Sequence, residues 1–140
     1  KLGLCISLTN PSRIPYEMMR AGCVPIDVFR YNNLFDYAPL SASLAYQDSS
    51  SLELAMRQLL NDPKNLQIHS NSAIKFSKPR TLDWEIDILV NAINYVVDGG
   101  NKPPVAPKPI YNEMPIISKD GINEDSAQAF CNWQKQLSLC

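Results

Sequence analysis

The stretch SLTNPSRIPYEMMRAGCVPIDV, residues 7 to 28, sets one carboxylate, Glu17, just behind Pro11, Ser12, Arg13 and Pro15. Pro15 suits the first position of a helix, where its fixed φ is right and its missing N–H would have had no partner. The free N–H groups of such a first turn attract anions, and phosphate is the anion that most often exploits them in α/β proteins. The same residues also have a plain reading. A helix-start glutamate gains from the macrodipole, and a Pro-Ser-x-x-Pro turn is ordinary loop chemistry. Arg13 has three roles open to it: phosphate ligand, solvated side chain, or partner for Asp27 or Asp36.

Other residues with reactive side chains form no such constellation. His69, the sole histidine, falls in a helical pattern and reads as a partly buried structural residue. Cys5, Cys23, Cys131 and Cys140 have neither the close pairs of a zinc site nor the density of a disulfide scaffold, and Cys5 and Cys23 read as small core residues. Asn32 and Asn33 read as turn formers.

The elements that must position Glu17 follow from the apolar pattern. Leu4, Cys5, Ile6 and Leu8 before the turn, and Val24, Ile26 and Val28 after Gly22, are short apolar runs of the kind a parallel sheet buries on both faces. The unit reads strand, turn, helix, strand. Ligands of such units bind outside the carboxyl ends of the strands, where residues 9 to 17 lie. Ser43 to Tyr46 gives a third strand. Leu52, Ala55, Met56, Leu59 and Leu60 then repeat at helical spacing, with Ser50 and Glu53 as a capping box. Asp62 and Pro63 start a second helix that runs to about Phe76. The third, from Thr81 to about Val97, carries Leu82, Ile86, Leu89, Ile93 and Val96 at alternate spacings of four and three, which predicts a core-facing stripe with Trp84 and Tyr95 packed beside it.

After Asp98 the composition changes. Five of the eleven prolines fall between residues 103 and 115, so residues 99–123 read as a Pro/Gly-rich linker. An amphipathic C-terminal helix is expected over 124–140, with Ala127, Phe130, Cys131 and Leu137 on its apolar side. The expected fold is thus α/β, a partial Rossmann-like parallel sheet of about three strands with flanking helices over residues 1–98. With 140 residues, 45% hydrophobic and 19% charged, the chain can build one ordinary core. A net charge of −1 offers no basic field for nucleic acid. No apolar run reaches the ~20 residues of a membrane span, and the N-terminus lacks the regions of a signal peptide.

The run SLTNPSRIPYEMMRAGCVPIDV resembles the donor-site segment of retaining family 4 glycosyltransferases of the GT-B architecture, particularly rhamnosyltransferase-type enzymes of bacterial polysaccharide synthesis. The matching pieces are PS before the turn, PYEMMRAG through the helix, and CVPIDV for the next strand; the resemblance extends over roughly residues 3 to 95. It implies that the chain is the later half of a nucleotide-sugar-binding domain. Glu17 then stands at the family's second glutamate, which accepts hydrogen bonds from the ribose hydroxyls of the donor. The first glutamate, which contacts the donor sugar, falls at Thr9. Ser12, Arg13 and Ile14 would offer backbone N–H groups, and Ser12 a hydroxyl, to the diphosphate.

The resemblance further implies transfer from a nucleoside-diphosphate sugar to a glycan or lipid-linked acceptor, with retention at the anomeric carbon and with neither metal nor cofactor. The acceptor would be held by a domain preceding Lys1, and the isolated piece would be inactive. A cytoplasmic place follows, peripheral to the inner face of the membrane. Self-association through the edge left on the first strand is a further expectation. The alternative is a non-catalytic α/β interaction module that keeps the glycosyltransferase shape without its chemistry. A small phosphate-binding regulatory domain is a third.

Overall fold

The computed structural model describes residues 1–6, 12–30, 33–99, 115–121 and 123–125, together with 128, 129, 131, 132 and 135. Its centre is a sheet in which strand order follows chain order: β1 (Leu2–Cys5), β2 (Val24–Val28), β3 (Ser43–Ala45), β4 (Pro115–Ile117) and β5 (Asn123–Asp125). The first four are parallel and β5 is antiparallel to β4. Helix α1 (Ile14–Arg20) joins β1 to β2, α2 (Asn33–Asp36) leads towards β3, and α3 (Ser49–Leu60), α4 (Pro63–Ser77) and α5 (Leu82–Asp98) follow β3.

Strand alternation explains the layering, because successive side chains leave a strand on opposite faces. Ile26, Ala45 and Ile117 pack on one face against Ala55, Leu52 and Met56 of α3. Leu44 packs on the other with Met19 of α1, Ala73 of α4 and Tyr37. Every residue of β2 and β3 is buried, as strands covered on both faces must be.

The helix boundaries have local causes. Pro15 lies at the start of α1. The helix ends in a Schellman motif: Gly22 takes φ +71, its N–H donates to the Met19 carbonyl at 3.0 Å, and the Cys23 N–H donates to the Met18 carbonyl at 2.8 Å. Gly3 allows α1 to approach β1, since a Cβ there would meet Met18 Sδ at 2.6 Å. Asp62 caps α4 by accepting from the Asn65 N–H at 3.0 Å, as its sequence position predicts. The cap of α3 differs from the expected Ser50–Glu53 box. Asp48 takes that place and accepts from the Ser51 N–H at 2.8 Å and the Ser51 hydroxyl at 2.7 Å.

Three further expectations are corrected. The sheet has five strands instead of about three, because Pro115–Ile117, within the segment read as linker, hydrogen-bonds beside β3. Residues 123–125, at the expected start of the last helix, pair as β5; residues 128, 129, 131, 132 and 135 are helical. The α5 stripe read as core is not buried: no residue of α5 is. Trp84 and Tyr95 are 44% and 40% exposed. Among the described residues β1 ends the sheet, at the edge expected for it, and its Leu4 is exposed. No helix among the described residues is long and apolar enough to cross a membrane.

Candidate functional site

Arg13, Tyr16, Glu17 and Arg20 are spaced i, i+3, i+4 and i+7, so α1 presents them along one side. That side borders an open cleft of about 370 Å³ whose far wall is Arg80, Thr81, Leu82 and Glu85, at the corner between α4 and α5. Glu17 sits in the first turn of α1 and is exposed, as the strand-to-helix reading requires. Arg13 pairs with Glu85 across the cleft, and not with Asp27 or Asp36. The Ile14 N–H donates to Ser12 Oγ at 3.2 Å, so two of the expected phosphate donors are engaged with each other. Thr9 lies outside the described residues.

Arg80 follows Lys78 and Pro79 just past the end of α4 and carries no signal of a site in the sequence. Its guanidinium lies 3.6 Å from the centre of the Phe76 ring and 5.6 Å from that of Trp84, and Nη1 donates to the Phe76 carbonyl at 2.8 Å. A guanidinium seated between rings is pre-organised and gives up little rotamer freedom when it binds an anion. Burial draws its pKa below the usual value, with the neighbouring Tyr16 pulling the other way; an arginine stays charged through such a change.

Tyr16 ties the cleft to the interior. Its hydroxyl donates to the Asp36 carbonyl at 2.9 Å, and its ring lies 6.2 Å from Tyr37 and 6.3 Å from Phe76 between centres. Burial, and then the charge of Asp36, push its pKa up to about 12, which keeps it a phenol.

Beneath Tyr16 is a buried polar cluster of Asp27, Asn33, Asp36 and Tyr37, of which the sequence offers Asp27 and Asp36 as possible partners of Arg13 and Asn33 as a turn former. Asp27, on β2 and 4% exposed, accepts from the Tyr37 hydroxyl at 2.6 Å, the Val28 N–H at 2.8 Å and the Asn33 amide at 3.4 Å. Burial nevertheless raises its pKa above the ordinary carboxyl value, so desolvation outweighs those bonds and the field of Arg30. Asp36 is raised by burial and then by Asp27. Tyr37 is raised by burial and by its bond to Asp27. Asn33 Oδ1 and Asp36 Oδ2 are buried without a hydrogen bond. The cluster fixes Tyr37 and, through the ring contact, the inner wall on which Tyr16 rests.

A second cavity of about 240 Å³ lies by the amino ends of β3 and β4, between Leu40, Ser43, Asn65, His69 and Pro115. His69 is half-buried, as expected, with Nδ1 buried and unbonded, and burial lowers its pKa. Cys5 is buried and Cys23 partly so.

The first cleft combines three guanidinium groups with two carboxylates and a phenol. It can bind an anion through Arg20 and Arg80 while Glu17 accepts hydrogen bonds from hydroxyl groups of the same ligand. Among the described residues no group of three His, Cys, Asp or Glu side chains could hold a metal ion. No family model, curated protein or solved structure matches this chain.

Proposed function

We propose that this α/β unit binds a nucleoside-diphosphate sugar in the cleft between α1 and the α4–α5 corner, as the donor-binding part of a retaining glycosyltransferase. The observation that carries the reading is the meeting of Glu17 with Arg13, Arg20 and Arg80 in one cleft. The sequence motif supplied a carboxylate for ribose hydroxyls but few cations for the diphosphate; the fold adds Arg20 and Arg80. In this reading Glu17 accepts from the ribose, Arg80 takes the diphosphate in its planar fork, and Arg20 adds a second positive charge. Arg13 exchanges the Glu85 carboxylate for a phosphate oxygen. Guanidinium groups so placed would stabilise the charge that grows on the leaving diphosphate. The glycan or lipid-linked acceptor would be presented by another part of the protein, at the inner face of the membrane.

Thermal shift against UDP-, dTDP- and GDP-sugars tests this, because a ligand that binds only the native state raises its apparent stability. One of them should raise the melting temperature. Glu17→Gln should weaken that binding by about 1.5–3 kcal/mol, the worth of hydrogen bonds to a charged group, or roughly ten- to a hundredfold in Kd. No shift with any donor, or an equal shift in the variant, overturns the reading. The second reading, a non-catalytic interaction module, is favoured by the exposed apolar length of α5.

A further inference from the structure

We propose that α5 is a self-association element, which pairs antiparallel with α5 of a second copy of this chain. Ten large apolar residues between Leu82 and Val97 are 37–80% exposed. A fully exposed residue of this size presents roughly 150–250 Å², so the ten leave on the order of 1,000 Å² uncovered, where the largest apolar patch of a monomer is typically 300–600 Å². A standard stable interface takes about 800 Å² from each partner. Seven of the ten, Leu82, Ile86, Leu89, Val90, Ile93, Val96 and Val97, lie on one side of the helix and leave on the order of 700 Å² there, close to what a dimer takes from each partner and more than most lone domains expose.

The pattern on the helix selects the occupant. Leu82, Ile86, Leu89, Ile93 and Val96 follow one another at steps of four, three, four and three, the 3.5-residue repeat with which two helices interlock side chains along a seam. Asp83, Asn91, Asn94 and Asp98 lie away from it, on a side that also carries Trp84 and Tyr95. Glu85, Ile88 and Ala92 share a flank beside the seam; Ala92 is the one partly covered residue of α5, and Glu85 ties that flank to Arg13 of its own domain. The seam is thus left free to meet another molecule.

A lipid surface fits less well, since α5 carries Asp83, Glu85, Asp87 and Asp98 and no Lys or Arg, the wrong sign for anionic headgroups. Three of these acids fall in its first six residues, so a parallel pair would set like charges side by side. An antiparallel pair parts them by most of the helix length and opposes the helix dipoles. About a two-fold axis near Leu89, Leu82 comes level with Val96 and Ile86 lies within one residue of Ile93, so one patch serves both copies.

Sedimentation over a hundredfold range of concentration, in the absence of nucleotide sugar, tests this; Leu82 belongs to both seam and cleft, and the variants are placed away from it. The wild-type chain should be a dimer. Leu89→Glu should abolish it with the far-UV circular dichroism unchanged, since an exposed position contributes nothing to the core. With Cys131 and Cys140 replaced by serine, Leu89→Cys at the axis should oxidise to a covalent dimer, and Asn91→Cys on the polar side should not. This cysteine pair decides the matter should the glutamate variant fail to fold. A wild-type chain that stays monomeric, a dimer that survives Leu89→Glu, or equal cross-linking by both cysteines overturns the proposal, and points to another segment, another protein or the β1 edge.

Discussion

With Asp27 replaced by asparagine, the protein should gain stability relative to the wild type as pH rises, although three hydrogen bonds end on that side chain, from Val28 on Oδ1 and from Tyr37 and Asn33 on Oδ2. Asparagine keeps one acceptor oxygen and sets an NH2 donor in place of the other, so a bonded N–H or O–H group loses its acceptor at about 1–3 kcal/mol, a cost that does not change with pH. Against that stands desolvation. The native carboxyl has a pKa raised from 3.8 with all those bonds in place, so burial of the charge is the larger effect. A group whose native pKa is raised binds its proton more tightly in the folded state. Stability therefore falls as pH rises from about 4 through the native pKa, by about 1.36 kcal/mol for each pH unit that separates the folded and unfolded pKa values. Asparagine removes that loss and relieves Asp36 of a neighbouring charge. Asp27→Ala is the contrast, because it strands the Tyr37 hydroxyl and the Val28 N–H in a buried site at about 1–3 kcal/mol each.

Urea unfolding of the three proteins between pH 4 and pH 8 reads this out. Asparagine should gain on the wild type as pH rises, and alanine should be the least stable at every pH. If the asparagine variant instead loses ground on the wild type as pH rises, the ionised carboxylate is favoured by its setting and the reasoning fails.

Met19→Ala should cost about 2–5 kcal/mol in the same assay, since Met19 is fully buried between α1, β3 and α4; a smaller loss means that this face of the sheet collapses around the gap. His69 has the opposite sign to Asp27. Burial lowers its pKa from 6.5, so stability should fall on acidification below pH 6.5, and His69→Gln should remove that part of the slope. An unchanged slope would leave the imidazole without the desolvation assigned to it.

The parts of the fold legible in the sequence were those with local causes. Pro15 and Gly22 mark the ends of α1, and Asp62 with Pro63 marks the start of α4, because cap chemistry is written within a few residues. β4 was not legible, since Pro-Ile-Ile beside a proline-rich run carries no strand period, and only its pairing with β3 makes it one. α5 misled for a physical reason. A heptad-like stripe states that a helix must bury a face, not whether its own domain or another molecule buries it. Glu17 was legible because a helix start announces itself. Arg80 was not, since its position over Phe76 and against the α1 side of the cleft arises from how α4 and α1 pack, across more than sixty residues of chain.

The proposal that the cleft beside α1 binds a nucleotide sugar meets its most direct test in amide chemical-shift mapping of the ¹⁵N-labelled chain during titration with the donor chosen by thermal shift. Binding there should move the resonances of residues 13 to 20 and 80 to 85 together and saturably, with Arg80→Ala removing the effect and leaving the rest of the spectrum in place. Shifts confined to the second cavity around His69, or a spectrum that no nucleotide sugar changes, would contradict it.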